Sequence, residues 1–197
     1  MNERIKEIVI APSAEIAPST VVEGPVVIGE RARIYEQAVI KGPCYLGDEV
    51  VIGTGSLVRD FSDLERGVLI GAHAEIARSI FQTDCHTHSG YFGDSIFDRS
   101  SRAGAGTITA NVRADRGEVF ARVKGARVAT SRKSLGAIVG AGTQLGIGTL
   151  LMPGVLIGSN CTVGPGTVVT KNISSGTLCY ARQELLIRSP KLKFHDV

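Results

Sequence analysis

From Ile10 to Ile76 every sixth residue is Ile, Leu or Val, twelve in succession: Ile10, Ile16, Val22, Ile28, Ile34, Ile40, Leu46, Ile52, Val58, Leu64, Ile70 and Ile76. With those residue types near a quarter of the chain, such a run would arise by chance about once in ten million. A second series follows at Val139, Leu145, Leu151, Ile157, Val163 and Val169. Four residues after each anchor stands a compact side chain, as at Ala14, Val26, Ala32, Ala38, Cys44, Val50 and Ser56, then Thr143, Thr149, Val155, Cys161 and Thr167. A helix cannot keep this period, because six residues carry it well past one revolution. A short strand ended by a sharp corner can. Three such units make a triangular coil of about 18 residues, and successive coils hydrogen-bond at about 4.8 Å. The pattern predicts an all-β, single-stranded parallel β-helix with anchors and compact residues filling a narrow prism. The lack of Trp and the 5% aromatic content agree with an interior too narrow for wide rings.

The continuous repeat over 197 residues favours a single domain. We read residues 1–178 as the β-helix, including a basic arm at 112–136, and 179–197 as a C-terminal tail. The opening MNERIKEIVI is charged, and no 18-residue apolar run occurs, so neither a signal peptide nor a membrane span is expected. A cytoplasmic protein follows as the expectation. Cys44 and Cys161 fall at inward positions and read as buried thiols, whereas Cys85 and Cys179 lie outside the repeat. No CxxC pair suggests a metal or redox centre.

The repeat breaks between Ile76 and Val139, whose separation of 63 residues is not a multiple of six. Functional chemistry is expected there. The first part, Cys85-His86-Thr87-His88-Ser89-Gly90-Tyr91-Phe92-Gly93-Asp94, gathers two histidines and a tyrosine in a glycine-bearing turn region. The second, 112–136, sets seven basic residues (Arg113, Arg116, Arg122, Lys124, Arg127, Arg132, Lys133) against Asp115 and Glu118, a local charge of +5. Alternation in Glu118-Val119-Phe120-Ala121-Arg122-Val123 and Ala126-Arg127-Val128-Ala129, with Lys124-Gly125 between, reads as a β-hairpin. Such an arm would attract a phosphate-bearing ligand, or its charges are simply solvated. Nucleic acid is not expected, since the stretch holds one aromatic, Phe120, and no recognised module.

His88-Ser89-Gly90-Tyr91-Phe92-Gly93-Asp94, followed by Gly104-Ala105-Gly106-Thr107-Ile108-Thr109-Ala110-Asn111, resembles the acetyltransferase half of bifunctional sugar-1-phosphate nucleotidylyltransferase/acetyltransferases. The matching pattern is H-x-x-Y-x-G-D, then G-A-G-T-x-x-x-N with the Asn twenty residues after the Tyr, as Tyr91 and Asn111 are. V-K-G in the arm and S-R-K-S-L-G-A-I-V-G are more similar to the archaeal branch. The resemblance covers about residues 20–182 and implies a left hand for the β-helix, a homotrimer with sites between subunits, and acetyl-CoA as co-substrate. It implies acetyl transfer to a sugar phosphate, most naturally an amino sugar 1-phosphate. The nucleotidylyltransferase half has no counterpart in this sequence, so the chain alone is not expected to make sugar nucleotides.

By the same resemblance His88 is the general base that takes the proton of the attacking nitrogen. Tyr91 and Asn111 contact the sugar phosphate. Ala105 supplies a backbone N–H to the oxyanion. Ile147 and Pro165 line the CoA path through backbone contacts, and Arg182 contacts CoA beyond the last coil. Gln183 to Arg188 reads as a short helical turn ended before Pro190. The chain departs from the pattern at Arg102, where bacterial members carry Asn, and at Gly117 and Phe120, where the family has lysines. Arg102, Arg116 and Arg122 are the candidates to bind phosphate instead, although arginine does not readily carry a proton. Two other readings stand beside this one: a non-catalytic trimeric sugar-phosphate-binding or regulatory module, and a γ-carbonic-anhydrase-like metalloenzyme using His73, His86 and His88. The second has the weaker basis, because His86-Thr87-His88 does not have that family's spacing.

Overall fold

A computed structural model describes residues 7–187. Arg188 of the expected helical turn, and the outermost parts of the β-helix and tail segments, lie outside the described residues. The chain winds into a left-handed parallel β-helix of hexapeptide repeats with three flat faces. The first face runs from Ile8–Ile10 to Leu156–Ile157, the second from Glu15–Ile16 to Leu178–Cys179, and the third from Val21–Glu23 to Val168–Val169. They hold 8, 9 and 8 strands, all pairing in parallel with the coil above and below. Among the described residues no helix forms.

The sixth-residue anchors stack in register, Ile28 on Leu46, Ile34 on Ile52 and Ile40 on Val58. Those six are almost fully buried, and Ala32, Ala38, Cys44, Val50 and Ser56 fill the space between them. Ile10, in the first coil, remains 43% exposed, with a neighbour on one side only among the described residues.

The repeat does not stop at Ile76. Phe81 stacks on Leu64, Thr87 on Ile70, Phe92 on Ile76, and then Phe97, Ala103 and Thr109 take the same places one coil later. What breaks the phase is a loss of one residue from each of three sides, Ile76 to Phe81, Thr87 to Phe92 and Phe92 to Phe97. Cys85 therefore occupies an inward position and is buried, and Cys179 pairs beside Val163.

The expectation that wide rings would not fit also requires correction. Phe81, Phe92 and Phe97 are fully buried inside the prism, with Phe81 and Phe97 stacked at 4.6 Å and Phe92 meeting both edge-on. Small neighbours make the room. Ser62, Ser79, Ser95 and Ala137 form a column of small buried residues, and a Cβ on Gly90 would collide with the Thr107 carbonyl and come within 3.2 Å of the Phe92 ring.

Among the described residues up to Cys179, only the arm leaves the coil. The step from Thr109 to Val139 exceeds a six-residue side by 24 residues, the length of 112–135, and the Leu135 N–H closes the excursion on the Asn111 carbonyl at 2.8 Å. Its hairpin, Phe120–Val123 with Ala126–Ala129, turns at Lys124-Gly125, both at positive φ. That is the turn that suits a two-residue hairpin loop. Residues 183–187 form no helical turn. The Ala181 N–H is bonded to Thr167 Oγ1 at 3.2 Å, and Leu185, Leu186 and Ile187 beyond it are exposed.

Candidate active site

His88 and Tyr91 flank one strand. His88 stands exposed at the corner between the second and third faces, its N–H bonded to the Ala103 carbonyl at 3.0 Å. Strand Gly90–Gly93 then carries Tyr91 across the third face, with its hydroxyl lying over Gly93. There Asn111 Nδ2 donates to Tyr91 Oη at 3.2 Å and to the Asp94 carboxylate. Arg78 holds Asp94 through two bonds, Nε to Oδ1 at 2.7 Å and Nη2 to Oδ2 at 2.9 Å. Burial pushes the Asp94 carboxyl up, but the bonds from Arg78 and Asn111 and the charges of Arg78 and Arg132 outweigh it. The carboxyl is therefore held below the usual range and stays ionised. Tyr91 and Asn111 are thus joined directly, and His88 sits at the other end of their strand.

The predicted cofactor residues share one edge. Above His88-Ser89, the same corner is made successively by Gly104-Ala105-Gly106, Gly146-Ile147-Gly148 and Gly164-Pro165-Gly166. A ladder of Gly106 N–H to Ser89 O (2.7 Å), Gly148 N–H to Ala105 O (2.8 Å) and Gly166 N–H to Ile147 O (2.8 Å) links them. At about 4.8 Å per coil this edge rises about 14 Å from Ser89 to Pro165. Coils approach closely because side chains are missing: a Cβ on Gly104 would lie 2.7 Å from the Ile147 nitrogen. Ile147 is 62% exposed, so the edge is apolar and open. The Gly104 and Gly106 amides serve the coil ladder, whereas the Ala105 amide has no such partner among the described residues. Arg182 follows Ala181 at the upper end, exposed.

The three candidate arginines go elsewhere. Arg102 pairs with His86 on the second face, outside the Tyr91–Asn111 group. Burial lowers the His86 pKa, the Arg102 charge lowers it further, and Asp84 opposes both. Arg116 is exposed in the turn before the hairpin, its N–H on the Arg113 carbonyl at 3.0 Å. Arg122 lies over the first face beside Ile138 and Leu156, and its carbonyl accepts from Asn172 Nδ2 at 2.7 Å. His73 sits at positive φ on the same corner as His88, one coil lower, and His86 on the second face. Among the described residues of one chain, no three His, Cys, Asp or Glu side chains form a metal-binding group.

Arg78 and Asp94 are the residues the sequence reading did not single out. Asp94 ends the H-x-x-Y-x-G-D pattern and was visible there. Arg78 lies 16 residues before Asp94, at the same corner one shortened coil down, so an 18-residue spacing does not reach it.

The chain is a hexapeptide-repeat β-helix, and residues 136–171 match the family described as bacterial transferase hexapeptide (six repeats). Among named proteins it is similar to the bifunctional protein GlmU of Methanocaldococcus jannaschii, at 37% identity over 178 residues, covering 90% of this chain and 43% of that one. It is also similar to the bifunctional sugar-1-phosphate nucleotidylyltransferase/acetyltransferase of Sulfurisphaera tokodaii, at 36% identity over 125 residues, 63% of this chain and 31% of that one. The chain spans less than half the length of these relatives. A solved UDP-N-acetylglucosamine acyltransferase shares the fold, with a TM-score of 0.50 at 14% identity, over 86% of this chain and 67% of that one.

Proposed function

We propose that this protein is an acyltransferase that moves an acetyl group from acetyl-CoA to a sugar phosphate carrying an amino group, in sites between the subunits of a homotrimer. The observation that carries this reading is the placement of His88 at the foot of the open Ala105–Ile147–Pro165 edge, one strand from the Tyr91–Asn111–Asp94 group. The apolar edge suits a pantetheine chain, with Arg182 near its upper end for CoA phosphate. The polar group suits a sugar, with Tyr91 and Asn111 meeting its oxygens. In a single chain the two lie at opposite ends of the strand, so a second prism would enclose the reacting atoms.

In the step itself the acceptor nitrogen attacks the thioester carbonyl carbon while the His88 imidazole takes the N–H proton. The tetrahedral oxyanion is met by the Ala105 amide. The C–S bond then breaks, and the imidazolium returns the proton to the departing thiolate. The relatives named as acetyltransferases support this reading. The non-catalytic reading is favoured by two positions where the resemblance places lysines: Phe120 is stacked under Arg127, and Gly117 bonds Asp115 through its N–H.

The test is release of CoA thiol from acetyl-CoA by the intact protein with glucosamine 1-phosphate, galactosamine 1-phosphate and non-amino sugar phosphates. Release that depends on one acceptor establishes the acyltransferase. No release with any of them, from a folded trimer, favours the binding module.

A further inference from the structure

Behind Asn111 lies a pocket of about 680 Å³ that the acetyl-transfer reading leaves unused. Asn111 turns its amide toward Tyr91 and Asp94, while its neighbours Ala110 and Val112 form one wall of this pocket. Met152 and Pro153 of the next coil extend the apolar surface. The base of the arm closes over it with Phe120, and the Arg127 guanidinium lies 3.6 Å from the centre of that ring. The size is that of a small-molecule site.

We infer that this pocket seats the base of a nucleoside diphosphate, so that the acceptor is a nucleotide-linked sugar. Its assignment to the acceptor rests on the acyltransferase reading, whereas nucleotide binding does not. A free sugar phosphate does not bury much apolar surface against a wall of Ala110, Val112, Met152 and Pro153, since its ring offers only narrow C–H faces. A planar heteroaromatic base does, through burial of its faces and stacking on the flat guanidinium–ring pair. Arg127 has no carboxylate partner within 4.0 Å among the described residues, so its charge is free for a ligand. Arg113 stands at the rim, paired with Asp115, and Arg116 follows it, within a segment of net charge +5 that favours a diphosphate over a neutral ligand. The pocket wall and the Tyr91–Asn111 group share the segment Ala110-Asn111-Val112, which sets the base beside the residues proposed to meet the sugar.

The experiment is calorimetric titration of the intact protein with UDP, ADP, CoA, glucosamine 1-phosphate and inorganic phosphate. The inference expects UDP or ADP to bind at least about tenfold more tightly than the last two, at the lower end of base-stacking energies. Arg127→Gln and Phe120→Leu each weaken the nucleotide about tenfold, whereas Lys133→Gln, which removes an arm charge away from the pocket, does not. Equal weakening by Lys133→Gln, or nucleotides no tighter than inorganic phosphate, overturns the pocket assignment. Competition between CoA and UDP overturns the acceptor assignment, because the pocket then holds the adenine nucleotide of CoA. Transfer to glucosamine 1-phosphate without nucleotide binding sinks this inference and leaves the acyltransferase reading standing. Nucleotide binding with no transfer to any acceptor, nucleotide-linked amino sugars included, leaves the pocket assignment standing and overturns both the acceptor assignment and the acyltransferase reading.

Discussion

Removing one ring from the prism interior measures how far the shortened coils are packed as part of the solenoid. Phe92 is fully buried between Ile76 and Thr109 on the third face. Its edge meets Phe81 at 5.7 Å and Phe97 at 5.5 Å, with interplanar angles of 84° and 81°. Phe92→Ala loses the transfer free energy of the ring and leaves a cavity that the flanking coils cannot close, since backbone ladders hold them at fixed spacing. The expected cost is about 3–5 kcal/mol, of which each edge-on pair accounts for about 0.5–1.5 kcal/mol. Phe92→Leu keeps most of the volume and is expected to cost less than half as much. Urea unfolding followed by circular dichroism, at one fixed protein concentration so that mass action is the same for every variant, provides the assay. In a stacked-coil protein the loss concentrates in the neighbouring coils, so hydrogen exchange should rise first in 76–109. A cost below about 1 kcal/mol for Phe92→Ala would refute the reasoning, because no buried ring in a close-packed interior is lost so cheaply.

Four further outcomes follow from the packing and contacts described above. Deletion of 112–135 restores a six-residue side, with Ala137 four places after Thr109, and should leave the melting temperature within a few degrees; loss of the fold would show that the arm is integral to it. Gly90→Ala forces a Cβ onto the Thr107 carbonyl and should lower the melting temperature clearly, while an unchanged melting curve would contradict the close approach. Asp94 has a depressed folded pKa, so its stabilisation is present above the ordinary carboxyl pKa and lost as pH falls through the folded value. Arg78→Ala should move that acid loss to higher pH in urea midpoints measured against pH, and an unmoved acid limb would count against the ion pair. Arg102→Gln should raise the His86 pKa, read by NMR titration of the imidazole, because it removes a cause of the lowering second only to burial.

The architecture was legible wherever the anchors were Ile, Leu or Val at an unbroken spacing of six, because that spacing corresponds to one side of the prism. It became illegible at Ile76, where the anchors change to Phe81, Thr87, Phe92, Phe97, Ala103 and Thr109 and three sides lose a residue. Hydrogen bonding between coils tolerates a shortened corner, whereas a fixed-period reading does not. The hairpin was legible from alternation and from Lys124-Gly125, since positive φ at both turn positions favours such residues. Of the candidate site, Tyr91, Asn111, Ala105, Ile147 and Pro165 came from the family resemblance alone; that Tyr91 meets Asn111, and that the other three share one corner, is seen only once the coils are stacked. The Arg78–Asp94 pair was not legible, because two charges one coil apart signal contact only once the coil length is known. Phe120 reads in the sequence as an arm residue and as a departure from a family lysine; that it lies under Arg127, diagonally across the hairpin, depends on the strand register.

The most direct test is the rate of acetyl transfer to a responsive amino-sugar acceptor by wild type and His88→Ala, with His86→Ala as the neighbour control. A general base at the corner predicts that His88→Ala falls by about 10²- to 10⁴-fold in kcat at unchanged folding, while His86→Ala remains within a few-fold of wild type. Transfer by His88→Ala at the wild-type rate would contradict the account.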